Sequence, residues 1–486
     1  MQEETLKNKT AKGLLWGGMN NGIIQILNLV FGIVLGRLLA PSDYGMIGVL
    51  LIFSYIAGAI QESGFTSALI NKKEIRHEDY NAVFWFSVSM GAFFYIILFF
   101  CAPLIAKFYH HQQDIVPLSR YVFLGFFLSS LYIPHNAMLT KQLKVRQKSV
   151  TSLTSLLVSG TVGIVMAYNG YAYWGLATQS ITYVTCVGIG QWYFSGWRPT
   201  LDFNFKPLRE MFGFSVKMLM SNLITQINNN FLTMILGRFY SVRAVGFYNQ
   251  ANKWNGMGYS IIQGMVNGVA QPVLREVVDD SARLERVFRK MLRFASFVSM
   301  PCMFGLSLTA PEIITIAITE KWGESVWMLQ IACIGGAFMP IQNLMYNLIL
   351  SKGRSDICLW NTIAYGVVQL IVVLLCIHQG ILMVIWCFVL VNILWVAVWG
   401  FCVWKLAGVS GWMMLKDILP FTLIAACCML VAYWTAQSIS SLYLSLVVKV
   451  AIASACYILV MHLSGAKVFK ESAQQLREII NQRIAK

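Results

Sequence analysis

Long apolar stretches separated by short polar gaps follow one another along the whole chain. Since about 20 residues rising 1.5 Å each cross ~30 Å of hydrocarbon, each stretch is long enough for one transmembrane helix. The pattern predicts an all-α polytopic membrane protein of about 14 transmembrane helices, with no soluble domain between them. The predicted spans are 13–36, 45–69, 82–106, 117–139, 150–168, 174–195, 212–236, 246–271, 292–310, 327–350, 359–377, 381–403, 418–436 and 442–462.

A local pattern at the first two spans recurs 201 residues later. The tripeptide at 35–37, followed by Gly45, has its counterpart in 236–238, followed by Gly246. The carboxamides of the first span match those of the seventh at the same offset. We therefore predict two six-helix lobes, spans 1–6 and 7–12, related by a pseudo-twofold axis along the membrane normal, with spans 13 and 14 as an appendage.

The predicted lobes are joined and followed by polar segments. The stretch 196–211 has two prolines, mixed charges and no apolar span, so it is expected to be a cytoplasmic linker. The last residues alternate apolar and polar positions at helical spacing, which predicts an amphipathic helix on the inner leaflet. The expected organisation is an N-terminal lobe 1–195, linker 196–211, C-terminal lobe 212–403, appendage 404–464 and cytoplasmic tail 465–486.

Composition and charge agree with this class. The chain is 57% hydrophobic and 12% charged, against about 25% charged in soluble domains. Of the 37 Lys and Arg residues, 28 fall on the side of the termini, with Arg293 at the edge of its span included, and six fall on the other side, with Arg120 included likewise. The remaining three lie deeper within spans. By the positive-inside rule both termini are cytoplasmic, and the net charge of +16 reflects topology rather than nucleic-acid binding. No cleavable signal peptide is expected, because the first apolar run has no small-residue cleavage site.

Enzymatic and metal-binding motifs are absent from the sequence. The eleven cysteines form no C-x-x-C pair and mostly lie in apolar spans, so they are interpreted as core residues. The pair His110–His111 near Asp114 could bind a metal, but a solvated turn is the preferred interpretation. Neither a Walker loop nor a nucleophile elbow occurs. We therefore predict no catalytic residue, no metal, no cofactor and no enzymatic activity.

Polar side chains within the spans are the main functional signal, because a carboxamide or a charge that faces lipid is energetically unfavourable. In spans 1 and 7 the carboxamides recur at i, i+4 and i+7 and so share one helix face. Two explanations stay open: hydrogen bonds between packed helices, or a hydrated cleft between the lobes. The residues are Asn21, Gln25 and Asn28 in span 1, and Asn222, Gln226 and Asn229 in span 7.

Span 8 has a longer polar stripe that includes Asn249, Lys253 and Gln263, and Glu62 of span 2 is equivalent to Gln263 at the offset of 201. Lys253 either faces the cleft or extends its long side chain to the interface.

Two further lysines and two prolines stand out within the spans. Lys217 and Lys449 are candidate lipid contacts, and Lys449 should face span 13 or a headgroup. Pro134 and Pro340, late in spans 4 and 10, are expected to kink or hinge those helices.

The segments GRLLAPSDYG (36–45) and QESGFTSALI (61–70), with the 6+6+2 arrangement, resemble the polysaccharide-transport branch of the multidrug/oligosaccharidyl-lipid/polysaccharide (MOP) exporter superfamily, which includes the Wzx-type flippases. The resemblance implies two lobes, alternating access and a cationic cavity, which Lys253 would match. It implies translocation of undecaprenyl-pyrophosphate-linked oligosaccharide across the bacterial cytoplasmic membrane, for O-antigen, capsule or exopolysaccharide synthesis. Membrane lipids, a polysaccharide polymerase and other assembly proteins are the expected partners. The alternatives are a multidrug/cation antiporter, a membrane glycan polymerase and a scaffold.

Overall fold

The computed structural model describes the backbone of residues 6–62, 65–72, 75–109, 112–202, 204, 206–466, 468–471 and 474. Within these ranges, the side chains of residues 6–21, 61–62, 67, 71, 207, 210–215, 217–218, 221, 268–269 and 271–272 are not described. The pair His110–His111 and most of the tail 465–486 therefore lie outside the described residues.

Every long regular element in the described part of the chain is an α-helix, and each of the fourteen predicted spans falls on such a helix or on a consecutive pair of them. The helices are α1 (Leu6–Leu38), α2 (Pro41–Glu62), α3 (Phe65–Asn71), α4 (His77–Phe108), α5 (Ile115–Ser130), α6 (Ile133–Lys141), α7 (Val145–Tyr168), α8 (Tyr173–Ser195), α9 (Lys206–Phe239), α10 (Val242–Glu276), α11 (Ser281–Leu308), α12 (Ala310–Ile318), α13 (Gly323–Gly336), α14 (Met339–Ser351), α15 (Ser355–Cys376), α16 (Ile381–Ala407), α17 (Gly411–Ala436) and α18 (Leu442–Leu463).

Length and hydropathy identify the chain as a multi-pass membrane protein. Among the described residues, nine helices are apolar and long enough to cross a membrane, and α5 with α6, bent by 44° at their junction, would make a tenth. Helices α9 and α10 are longer still but are not among the nine. These two helices contain the predicted polar stripes of spans 7 and 8, which lower their hydropathy.

The chain divides into two compact units, residues 1–249 and 250–486. In the first unit, α7 packs along α8 and α1, while α5 packs against α4 and α8. Helix α9 packs mainly along α2 and also contacts α3 and α4. The division of the structure differs from the boundary at 196–211 that the repeat suggests, and the lobes of the repeat stay a prediction.

The repeated glycines explain how the first turns of α2 and α10 approach each other within the first unit. A Cβ on Gly45 would overlap the carbonyl oxygen of Val242, and a Cβ on Gly246 would overlap that of Pro41. Val242 is the residue 201 positions after Pro41, so the two contacts are equivalent under the repeat. Glycine is required at both positions because any side chain would separate the backbones.

The segment expected to be a polar linker begins as an extended strap on α4. The side chain of Asn81 accepts a hydrogen bond from the Thr200 backbone amide at 2.9 Å and donates to the carbonyl of Asp202. The indole of Trp197 donates to His77 Nδ1 at 3.0 Å. These bonds fix the first part of the linker to the first unit.

In the second unit, α11 packs along α17, α17 along α18, and α15 along α16. Asp417, buried near the start of α17, is held by Arg289 of α11 at 2.7 Å. This ion pair fixes the appendage helix α17 to α11.

Candidate functional site

A polar cavity of about 480 Å³ lies within the first unit, among α2, α9 and the junction of α5 with α6. We call it the first-unit cavity. Apart from Ile133, its lining consists of small, hydroxyl-bearing and carboxamide side chains. The lining residues are Ser54, Tyr55, Gly58, Ala59, Ser129, Tyr132, Ile133, Asn222, Thr225, Gln226 and Asn229.

The carboxamide stripe of α9 forms one wall of this cavity. Asn222, Gln226 and Asn229 all line it, as expected for residues at i, i+4 and i+7 on one helix face. Their side chains make no hydrogen bond to any other described residue. Three neighbouring carboxamides therefore direct unused donors and acceptors toward the cavity, which is the arrangement expected of a binding surface rather than of helix packing.

A second wall forms where span 4 is broken. Helix α5 ends at Ser130 and α6 begins at Ile133, so Tyr132 lies in the break and lines the cavity. Because the helix is interrupted here, the Leu131 carbonyl has no partner within the helix, and it accepts a hydrogen bond from the indole of Trp192 at 2.7 Å instead.

Proline accounts for this break and for a matching one in span 10. Pro134 occupies the first turn of α6, where its missing N–H is not needed, and Pro340 does the same in α14. The predicted kink is confirmed in span 4, where α5 and α6 bend by 44°. In span 10 the helix is interrupted between Gly336 and Met339, and a hinge there stays a prediction.

Helix α2 supplies a third wall that sequence patterns did not predict. Ser54, Tyr55 and Gly58 line the cavity, and a Cβ on Gly58 would meet no atom within 4 Å. The available signal was the small residues Ser54 and Gly58 one turn apart in an apolar span. Such a pair more often marks close helix packing, so this wall could not be assigned from the sequence alone.

The remaining predicted residues of the first unit lie elsewhere or are not described. In α1, Gln25 is exposed and Asn28 is half-buried, and neither lines the first-unit cavity. The side chains of Asn21, Glu62 and Lys217 lie outside the described residues, so their roles stay predictions.

The stripe of α10 is used in two ways. At its start, Asn249 accepts a hydrogen bond from Thr233 of α9 at 3.3 Å and so takes part in packing. Farther along, in the second unit, Asn267 accepts from Asn347 of α14 at 2.9 Å. Lys253 is exposed and Gln263 is half-buried, and neither pairs with another described side chain.

Lys449, a candidate lipid contact predicted to face span 13 or a headgroup, is instead paired with a residue of α12. The Lys449 ammonium is buried and forms an ion pair with Glu312, which also accepts a hydrogen bond from Ser445 at 2.8 Å. Glu312 belongs to α12, a short helix in the segment between predicted spans 9 and 10. The ammonium cannot reach a headgroup because Glu312 holds it inside the second unit.

Other buried carboxylates are also paired with cations. Besides Glu312, Asp79 accepts from Lys72 at 2.8 Å and Asp417 from Arg289. Such pairs stabilise helix contacts, so none of these three carboxylates is free to bind a cationic drug. Among the described residues, no three His, Cys, Asp or Glu side chains come together as metal ligands.

Solved structures share this fold. The chain aligns with the lipid II flippase MurJ in an inward closed conformation with a TM-score of 0.75 at 14% identity, covering 92% of this chain and 99% of that one. It also aligns with an inward-facing multidrug resistance MATE family transporter of the MOP superfamily, with a TM-score of 0.64 at 17% identity, covering 80% and 96%. The all-α polytopic membrane fold predicted from the sequence is confirmed.

Sequence relatives and a family model identify the family. The lipopolysaccharide biosynthesis protein WzxC of Escherichia coli K12 is 24% identical over 363 residues, 73% of this chain and 72% of the relative. The teichuronic acid biosynthesis protein TuaB of Bacillus subtilis is 23% identical over 358 residues, 73% and 74%. Residues 34–327, more than half of the chain, match the family described as polysaccharide biosynthesis protein. The resemblance found in the sequence is thereby confirmed, and the chain belongs to the polysaccharide biosynthesis protein family.

Proposed function

We propose that this protein translocates undecaprenyl-pyrophosphate-linked oligosaccharide across the cytoplasmic membrane of a bacterium, for O-antigen, capsule or exopolysaccharide synthesis. Two relatives named for lipopolysaccharide and teichuronic acid biosynthesis support the pathway, and the fold shared with a lipid II flippase supports the transport step. The observation that carries the proposal is a polar cavity, lined by unpaired carboxamides, within a membrane protein of this family.

The cavity meets the main physical requirement of the reaction. Sugar hydroxyls and a pyrophosphate cannot enter hydrocarbon without losing their hydrogen bonds to water, which is costly for every polar group. Carboxamides replace water because each one offers both donors and an acceptor. The polyprenyl tail needs no such path and stays in the lipid.

The internal repeat supports alternating access as the mechanism. Repeated six-helix lobes related by a twofold axis along the membrane normal occur in transporters that rock around a central site. Lys253, exposed and without an acidic partner among the described residues, is suited to compensate the pyrophosphate. A polymerase and other assembly proteins would take the substrate after release.

Genetic complementation tests the proposal. In a host whose own flippase gene is deleted and whose glycosyltransferases are intact, lipid-linked oligosaccharide should accumulate on the cytoplasmic face. Expression of this protein with the glycosyltransferases of its own locus should restore surface polymer and remove the accumulated intermediate. Unchanged accumulation, with the protein present in the membrane, would contradict the proposal.

The topology is a separate prediction. The asymmetry of basic residues places both termini in the cytoplasm. Membrane-impermeant labelling of single introduced cysteines should mark 141–148 and 279–290 as cytoplasmic, and 111–114 and 318–324 as external. Labelling of any one segment from the opposite side would disprove the span assignment.

Removal of the Lys253 charge should impair transport rather than folding. Because Lys253 is exposed and makes no ion pair with the described residues, Lys253→Ala is expected to leave membrane abundance unchanged and to lower polymer export by about tenfold or more. Lys253→Arg should retain part of the activity, since the charge survives. Lys405→Ala, which removes a lysine at the end of α16, is the control and should export normally. Full export by Lys253→Ala would contradict a role in transport. The better explanation would then be that Lys253 extends its side chain to the membrane interface.

A further inference from the structure

The described lining of the first-unit cavity has an unusual composition for a site that acts on a pyrophosphate-linked substrate. None of its eleven residues carries a formal charge, and eight of them bear a hydroxyl or a carboxamide group. A phosphate transferred from water needs a cation or several N–H donors to replace its hydration. A sugar ring without a charge needs only neutral donors and acceptors.

We infer that the first-unit cavity is a subsite for an uncharged sugar, a neutral hexose or N-acetylhexosamine, of the transported oligosaccharide. The inference rests on the proposed function and deepens it. It assigns the neutral sugar to the cavity wall that α9 forms, and the charged pyrophosphate to a different part of the translocation path.

The carboxamides of α9 match the dimensions of such a ligand. Asn222 and Asn229 are seven residues apart, which corresponds to about 10 Å along the helix axis. Gln226 lies between them on the same face. A row of this length can contact the hydroxyls of one or two sugar rings, each amide donating to one oxygen and accepting from another hydroxyl.

Two tyrosines supply the complementary apolar surface. The ring of Tyr55 is 42% exposed although it lies in the middle of a transmembrane helix. Tyr132 lies in the break of span 4, and its ring packs against Gly188 of α8. A Cβ added to Gly188 would lie 3.2 Å from the Tyr132 ring. An aromatic ring with a polar hydroxyl suits a sugar, which has an apolar C–H face and a polar rim.

The N-terminus of α6 is a feature of the cavity that would favour an anion over a neutral sugar. Helix α6 begins at Ile133, which lines the cavity, and helix N-termini carry partial positive charge. A site for pyrophosphate or a uronic acid at this position would tolerate added positive charge and reject negative charge. A neutral-sugar site would lose affinity when its hydrogen-bonding groups are removed but would accept a carboxylate, which is a good acceptor for hydroxyls.

Substitutions at Gln226 distinguish the two ligands without knowledge of the glycan. In the complementation assay, Gln226→Leu is expected to reduce export by about tenfold, the effect of one or two lost hydrogen bonds. Gln226→Glu, which keeps the shape, should stay within about threefold of the unsubstituted protein because only a hydrogen-bond donor is exchanged for an acceptor. Asn222→Leu and Asn222→Asp should repeat this pair of results.

Asn230→Ala is the matched control, because this carboxamide on α9 instead donates to the Gln226 backbone carbonyl at 2.9 Å. It should export normally, and membrane abundance and detergent thermostability should be equal for all variants. Inactive Gln226→Glu with active Gln226→Lys would show an anion site and overturn the inference, as would normal export by Gln226→Leu. If the unsubstituted protein itself fails to restore export, the proposed function is wrong; if only the variants behave differently from expectation, the subsite is wrong.

Discussion

Replacement of Gly58 by leucine is expected to abolish export while the protein folds and inserts normally. A Cβ at this position meets nothing within 4 Å, and the space it faces is the first-unit cavity. The leucine side chain would therefore fill the cavity instead of displacing a helix. Leucine also favours the helical backbone over glycine by about 1 kcal/mol, so stability should not fall.

The measurement is surface polymer together with lipid-linked oligosaccharide in the flippase-deficient host, with membrane abundance determined in parallel. Gly411→Leu, at the start of α17, is an equally unhindered substitution outside the cavity and should export normally. Gly58→Ala adds only one methyl group and should retain most of the activity. Normal export by Gly58→Leu would show that the substrate does not pass through this cavity.

Much of the fold could be predicted because hydrophobic length specifies membrane spans directly. An apolar stretch of about 20 residues crosses lipid as an α-helix, because in a helix all backbone hydrogen bonds form within the segment. The positions of Pro134 and Pro340 also indicated where spans 4 and 10 are interrupted, because proline lacks the N–H that would hydrogen-bond to the preceding turn of helix. The stripe of α9 was also readable, because a period of 3.6 residues assigns side chains to a face.

What the sequence could not specify is the surface that each face meets. The stripes of α1 and α9 have the same spacing, yet Asn222 and Gln226 line the first-unit cavity and Gln25 does not. Asn249 and Asn267 belong to one stripe of α10 but are engaged in helix packing. Periodicity gives the direction of a side chain relative to its own helix, whereas function depends on which neighbouring helices pack there.

Burial of charge was the other feature that local patterns missed. The sequence predicts that Lys449, near the middle of span 14, faces span 13 or a lipid headgroup. Its partner Glu312 is 137 residues away, on a short helix between predicted spans 9 and 10. An ion pair between such distant positions depends on tertiary packing and leaves no periodic signal in either segment.

Disruption of this ion pair should have the largest effect on stability in the second unit. Glu312 is 5% exposed and Lys449 is 8% exposed. Lys449→Met would leave a buried carboxylate supported only by the Ser445 hydroxyl, and loss of one partner of a buried pair typically costs about 3–5 kcal/mol. Glu312→Gln should be similarly destabilising, because the Lys449 ammonium then has no counter-charge in this contact.

The double variant separates the role of charge from the role of packing. Glu312→Gln with Lys449→Met removes both charges together, so most of the lost stability should return, since a neutral pair carries no desolvation penalty for ions. Thermal unfolding of the purified protein in detergent measures all three variants. Arg354→Ala, which breaks an exposed ion pair with Asp356, is the control and should not change the unfolding temperature. If the double variant is as unstable as the sum of the single variants, the residues stabilise the protein independently, and the ion pair is not what holds α12 against α18.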